Sequence, residues 1–335
     1  MASERPLLTI AIPTYNRSRY LARLLAALAP QIAGDSRVEL LISDNHSPDD
    51  TPSIVESFRQ GGASFRYLRN ETNIGSDGNF LQCFESAQGK YVWLFGDDDL
   101  PEPGSVQRIL SILSAEEYDL VHLAVRNFKG DYTPSRKPFR GRASTFRRAE
   151  DLARRVHVSF TFITGNIINK DRVSAVEHLP FSDLLGSNLM QLAWVYTALE
   201  HHRRSLLIRD RLIASQTENT GGYQLCKVFG PNLKAISDRW LTSQRVKQHI
   251  VDGTLQMFLP GCLLGLRENS GMFASDDPHL MLRPVFGHNL RYWIFDFPLV
   301  RLPLTVAKRW MFALRVVNKL DRMTGNRLFR SSISG

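Results

Sequence analysis

The chain has little cysteine: three residues in 335, at positions 83, 226 and 262. That is too few and too scattered for a disulfide framework or a CxxC metal site, so a reducing compartment such as the cytosol is the expected setting. No apolar run reaches the roughly 18 to 20 residues that a membrane-spanning helix needs. The opening Met1-Ala2-Ser3-Glu4-Arg5-Pro6 shows none of the basic start, apolar run and small-residue cleavage site of a secretory signal. Away from its end the chain also lacks net charge. Residues 283–335 carry ten Lys/Arg against Asp296 and Asp321, so +8 of the overall +9 lies there. A nearly neutral body argues against a general nucleic-acid footprint and leaves a basic tail with a task of its own.

What is present is an alternation of strand-like and helix-like segments. Strands are expected over 7–12, 38–42, 65–68, 91–95, 119–125, 160–169 and 206–214. Helices are expected over 18–29, from Thr51, up to about Gly89, over 104–115 and over 184–200. Strands and helices joined by short loops predict an α/β fold with a mainly parallel sheet flanked by helices. Ligands of such sheets lie outside the carboxyl ends of the strands, where the polar clusters Pro13–Asn16, Ser43–Asp50 and Asn73–Asn79 fall. These loops should therefore share one crevice. Residues 126–148 read as a basic excursion, Ser215–Tyr223 as a glycine-hinged segment able to close over a ligand, and the remainder from about Lys227 as helices.

The stretch that organises the rest is Tyr91-Val92-Trp93-Leu94-Phe95-Gly96-Asp97-Asp98-Asp99. A buried strand, a glycine turn and three consecutive carboxylates follow one another. Adjacent aspartates repel and titrate upward unless a cation or a set of donors holds them ionised. Mg²⁺ or Mn²⁺ suits that need, because hard cations prefer carboxylate oxygens and keep positions for phosphate. A solvated turn capping a helix opened by Pro101 and Pro103 is the competing reading.

Four motifs stand in order over residues 6–125: Ile12-Pro13-Thr14-Tyr15-Asn16-Arg17, Ile42-Ser43-Asp44-Asn45 with Asp49 and Thr51, Asn73-Ile74-Gly75 with Asn79-Phe80, and Trp93 to Asp99. With them the chain resembles the family-two glycosyltransferases of GT-A fold, and within these the abequosyltransferase-like branch of bacterial surface polysaccharide and O-antigen synthesis. The resemblance implies a Rossmann-like catalytic domain over 1–225 and a helical, basic amphipathic region over 226–335. It implies Pro13, Tyr15, Asn16 and Asp44 against the nucleotide's base and ribose, and Asp77, Asn79, Asp97 and Asp98 near its ribose and diphosphate. It also implies Asp97, Asp98 and Asp99 as candidate ligands of Mn²⁺ or Mg²⁺. The commoner pattern has an aspartate where Gly96 stands, which leaves open whether Asp97 with Asp99, or Asp98 with a water-mediated neighbour, holds the ion. Asp44 could instead close an Asx turn, and Asp77 and Asn79 could cap the following helix.

The family's acidic pair that supplies the catalytic base further along the chain is missing here. Asp183, in Glu177-His178-Leu179-Pro180-Phe181-Ser182-Asp183, is the expected base, with a cap on a helix starting at Leu184 as its rival role. Leu290–Pro298 and Val306–Val317 mix aromatic and basic residues at helical spacing, a pattern that lies in a lipid headgroup plane or packs on a core. The expected enzyme is a hexosyl- or deoxyhexosyltransferase, inverting by family habit, using a UDP-, GDP-, CDP- or dTDP-sugar. Its expected acceptor is a polyprenyl-diphosphate-linked saccharide at the cytoplasmic face of the inner membrane. A non-catalytic glycan- or nucleotide-sugar-binding module of a polysaccharide assembly complex is the alternative.

Overall fold

The computed structural model describes residues 5–135, 139–217, 222–268 and 277–323. The chain divides into two units, 1–219 with 236–247 and 220–235 with 248–335. The second unit thus begins a few residues before the expected boundary at 225, and the first unit takes back a later segment.

The first unit is built on a nine-stranded sheet. Its strands are β1 (Leu8–Thr14), β2 (Val38–Asp44), β3 (Arg66–Arg69), β4 (Tyr91–Leu94), β5 (Leu100–Pro101), β6 (Leu120–Phe128), β7 (Ala143–Phe146), β8 (Asn166–Asn169) and β9 (Ser205–Gln216). They run in the order β3-β2-β1-β4-β8-β6-β9-β5, with β7 paired to β9. The half that carries the motifs, β3-β2-β1-β4, is parallel. The other half is mixed, because β8 runs antiparallel to both β4 and β6, and β5 and β7 are antiparallel to β9. All seven residues of β1 are buried, as a central parallel strand covered on both faces requires.

Helices α1 (Ser18–Ile32), α2 (Thr51–Gln60), α3 (Gly75–Ser86) and α4 (Ser105–Ala115) follow β1, β2, β3 and β5. Leu21, Leu24, Leu25 and Leu28 form the buried stripe of α1, the spacing seen in the sequence. At the amino edge of the sheet, Gly89 presses against β1: a Cβ there would lie 2.5 Å from Thr9 N. Glu39, buried, accepts from the Thr9 hydroxyl and from Gln88 N and pairs with Arg66, stitching three strands together.

The helix expected over 184–200 is shorter. Its regular part, α7, is Leu192–Glu200; before it come a 3-10 turn at Phe181–Leu184 and a loop in which Gly186 and Asn188 take φ of 82° and 58°. Left-handed residues cannot continue an α-helix, so the apolar periodicity of that stretch was misleading. The strand expected over 160–169 likewise shrinks to β8, preceded by 3-10 turns at His157–Thr161 and Ile163–Gly165. Between β7 and β8 lies α5 (Ala149–Val156), and after β8 comes α6 (Lys170–Ser174). Of the basic excursion, Tyr132 and Ser135 are pinned to the buried carboxylate of Glu102, while residues 136–138 lie outside the described residues. Residues 218–221 of the expected closing segment lie outside them as well.

The second unit is helical. Helices Leu259–Arg267, Pro278–Phe286, Phe297–Arg301 and Leu304–Met323 bury Leu259, Leu263, Leu282, Phe286, Leu299, Ala307 and Leu314. Two π-helical turns, Thr254–Phe258 and Tyr292–Asp296, each run straight into a helix with proline in its first turn, Pro260 and Pro298. A proline lacks the N–H that an α-turn would use, and the widened turn ahead of it accommodates the ring. Among the described residues no helix is long and apolar enough to cross a membrane.

Candidate active site

β1 ends at Thr14, whose Oγ donates to Asp97 Oδ2 at 2.8 Å. Asn16 then takes a left-handed φ of 54°, which asparagine tolerates, and its N–H reaches Ser47 Oγ at 2.9 Å. That turn delivers Arg17 to the start of α1 with Nη1 3.1 Å from Asp97 Oδ1 and 3.0 Å from Asp98 Oδ2. Asp99 turns the other way. Its Oδ2 accepts from Thr164 Oγ at 2.5 Å and its Oδ1 from Gln216 N at 3.3 Å, with the Ser215 hydroxyl also bonded to it. Thr164 Oγ in turn accepts Gly96 N at 2.9 Å, and the Thr164 carbonyl accepts the Trp93 indole N–H at 2.8 Å.

Burial pushes the carboxyls of Asp97 and Asp99 up to about 7. For Asp97 the Arg17 guanidinium pulls back and Asp98 pushes further; for Asp99 the Asp98 charge adds to burial. The hydrogen-bond donors present therefore do not hold Asp97 and Asp99 in the ordinary carboxylate range. Asp98 Oδ1, Asp99 Oδ2 and Thr164 Oγ lie 3.1, 3.2 and 3.2 Å from the point a Cβ on Gly96 would occupy. The adjacent Asp98 and Asp99 carboxylates offer the hard oxygen donors that Mg²⁺ or Mn²⁺ prefers. Thr14 and Arg17 hold the two oxygens of Asp97. Among the described residues no three Asp, Glu, His or Cys side chains gather at one ion position.

Asp44, at the end of β2, is fully buried and accepts from Ser47 N at 2.8 Å and Tyr67 Oη at 2.7 Å, with Arg69 Nε at 3.3 Å. The bond to Ser47 reaches three residues on, one further than the Asx turn considered as its rival role. Asn79 and Ser43 bond each other twice, side chain to side chain at 2.6 Å and side chain to carbonyl at 3.0 Å, which fastens α3 to β2. Asp77 does not cap α3. It reaches instead to the loop before α7, where Asn188 N donates at 2.8 Å and the amides of Gly186, Ser187 and Met190 face the same carboxylate. Burial still raises its affinity for a proton. Pro13 pairs in register with Ser43, and Tyr15 is 43% exposed above the turn.

The carboxylate of Asp183 holds Arg239, and the helix it was expected to cap begins eight residues later than Leu184, at Leu192. Neighbouring His178 stacks on Phe181 with ring centroids 4.2 Å apart. Sequence reasoning placed Arg17 in the first motif without giving it a role and missed Thr164. Arg17 could have been suspected as a cation directly following Pro13–Asn16. Thr164 carried no local signal within its apolar surroundings.

Residues 9–174 match the family Glycosyl transferase family 2. The chain carries a family 2 glycosyltransferase domain. Its four motif loops, the aspartate cluster and Thr164 all fall inside the matched stretch. The abequosyltransferase RfbV of Salmonella typhimurium is 30% identical over 185 residues, which is 51% of this chain and 55% of that protein. The GalNAc(5)-diNAcBac-PP-undecaprenol beta-1,3-glucosyltransferase of Campylobacter jejuni is 28% identical over 106 residues, 31% of this chain and 34% of that protein. The match thus spans about half the length of the first of these relatives and a third of the second. In fold, the chain resembles the crystal structure of Staphylococcus aureus TarS 1-349 in complex with UDP-GlcNAc. The TM-score is 0.57 at 18% identity, over 98% of this chain and 95% of that one. The mannosyltransferase PcManGT from Pyrobaculum calidifontis, in complex with GDP-Man and Mn²⁺, gives 0.53 at 14% identity, over 95% and 88%.

Proposed function

We propose that this chain transfers a sugar from a nucleotide-diphosphate donor to a polyprenyl-diphosphate-linked saccharide in bacterial surface polysaccharide synthesis, and that it requires Mg²⁺ or Mn²⁺. One observation carries the reading. Carboxylates suited to a divalent ion and a guanidinium suited to a diphosphate meet at the carboxyl edge of β1 and β4, in a family 2 domain. Breaking the donor's anomeric bond leaves negative charge on the diphosphate, and a divalent cation, when bound, stabilises that charge as a Lewis acid. Asp98 and Asp99 would hold it, and Thr164 fixes the direction of Asp99. Pro13, Tyr15, Asn16 and Asp44 would face the nucleoside, while Asp77 and Asn79 shape the walls through the 186–190 loop and β2. The undecaprenol-linked acceptor in the Campylobacter relative's name supports a lipid-linked acceptor here.

The test is thermal unfolding with UDP, GDP, CDP and dTDP, each with and without Mn²⁺. One nucleotide should raise the melting temperature by several degrees and only with metal, since a ligand at about 100 times its Kd adds about 2.7 kcal/mol. No shift with any of the four, metal present, would refute donor binding.

The second unit supports a cytoplasmic, membrane-peripheral placement. On helix Leu304–Met323, Ala307 and Leu314 are buried, while Val306, Trp310, Phe312 and Val316 stand exposed among Lys308, Arg309 and Arg315. Rings and cations on one outer face suit anionic headgroups, each basic residue contributing about 1 kcal/mol. Arg327 and Arg330 lie outside the described residues. The full chain is expected to float with phosphatidylglycerol-containing liposomes, and F312S/V316S to remain largely in the pellet. Equal flotation of both would remove the membrane role from this face.

A further inference from the structure

Asp98 has two oxygens with two different neighbours. Oδ2 is 3.0 Å from the Arg17 guanidinium, and Oδ1 faces the space over Gly96 with Asp99. Arg17 bridges Asp98 and the more deeply buried Asp97, with side-chain exposures of 31% for the arginine and 6% for Asp97. Its backbone is fixed, because its carbonyl accepts from Tyr20 N and Leu21 N at the start of α1. The guanidinium, at the end of a long side chain and partly in solvent, is the part able to move. It also lies 5.9 Å from the Tyr20 ring.

We propose that Arg17 is an internal counter-ion that occupies the carboxylates until a diphosphate arrives to receive its guanidinium, so that nucleotide and divalent metal bind cooperatively. Without nucleotide, Arg17 neutralises part of the charge that would attract the metal. A diphosphate offers it a bidentate, doubly charged partner, which a guanidinium's planar fork matches better than two separate carboxylates. Once drawn off, it leaves Asp98 to the cation. Each ligand then raises the other's affinity by the same factor, as linkage requires. This rests on the donor-binding reading above and adds to it a residue that sets the order of assembly.

The test is Mn²⁺ binding to the full chain, followed by electron paramagnetic resonance, alone and with each of UDP, GDP, CDP and dTDP. In the wild type, the cognate diphosphate should tighten Mn²⁺ binding by about tenfold or more. In Arg17→Gln, Mn²⁺ alone should bind about tenfold more tightly than to the wild type, and the nucleotide's enhancement should shrink to the part that direct contact between ion and diphosphate supplies. Arg17→Lys, which keeps a charge but cannot bridge both carboxylates, should fall between the two and serves should the glutamine variant not fold. Wild-type coupling that persists unchanged in both variants overturns the proposal while leaving donor binding intact. Absence of any metal-dependent nucleotide binding in the wild type overturns the donor reading and the proposal together.

Discussion

Asp98→Asn is expected to lower sugar transfer by about 10²- to 10³-fold, the loss typical when one preorganised electrostatic partner of a developing charge is removed. The substitution keeps the shape of the side chain and removes the charge that both Arg17 and the Gly96 space face. Its melting temperature should change little, because the carboxylate is near solvent compared with Asp97 and Asp99. Asp183→Asn is the informative companion. Its carboxylate holds an exposed arginine, a pairing worth about 0 to 1 kcal/mol, so transfer should stay within about twofold of wild type. A collapse equal to that of Asp98→Asn would identify Asp183 as the base.

The acidity of the cluster gives the same site a pH signature. Asp97 and Asp99 are pushed up to about 7, so protons compete with a cation below neutrality. Mn²⁺ affinity should climb as pH rises through about 7 and flatten above it. Folding of the metal-free protein should move the opposite way. A carboxyl raised from 3.8 binds more protons when folded, so its contribution to stability is intact below 3.8 and lost as pH rises to about 7. Urea unfolding without metal, on either side of neutrality, reads this directly.

Gly89→Ala is expected to cost about 3 kcal/mol or to prevent folding. The new methyl would lie 2.5 Å from Thr9 N and 2.8 Å from Leu8 C, both backbone atoms of a strand hydrogen-bonded on each side. Backbone in the middle of a sheet cannot yield the ångström required, and overpacking of this kind typically costs about 1 to 3 kcal/mol. Gly261→Ala makes the contrast. Nothing lies within 4 Å of its would-be Cβ, on a helix, and the change should stabilise by about 0.5 to 1 kcal/mol. If both variants unfold at the wild-type urea concentration, the close approach of Gly89 to β1 is not real.

The parallel half of the fold could be read from the chain because its signals are local. The leucines of α1 repeat at helical spacing, β1 is a short run rich in β-forming residues, and the polar loops all follow strands. The same holds for the aspartate cluster. What escaped reading depends on partners distant in sequence. The loop before α7 is apolar enough to look helical, and only Asp77, more than a hundred residues earlier, holds its amides in another shape. β7 is four residues of half-exposed alternation that becomes a strand because β9 is there to pair with it. Arg17 closed a motif without a role, and Thr164 looked like an ordinary core residue, until Asp97, Asp98 and Asp99 were placed beside them.

Thr164 has one more implication, concerning the order in which the molecule comes into being. By the time a ribosome has released residue 125, all four motifs exist as polypeptide, yet the amide of Gly96 has no acceptor and Asp99 no hydroxyl until a stretch 65 residues beyond Asp99 threads in next to β4. A nascent chain halted between those points would hold every recognisable motif of its family and have no finished place to put a nucleotide.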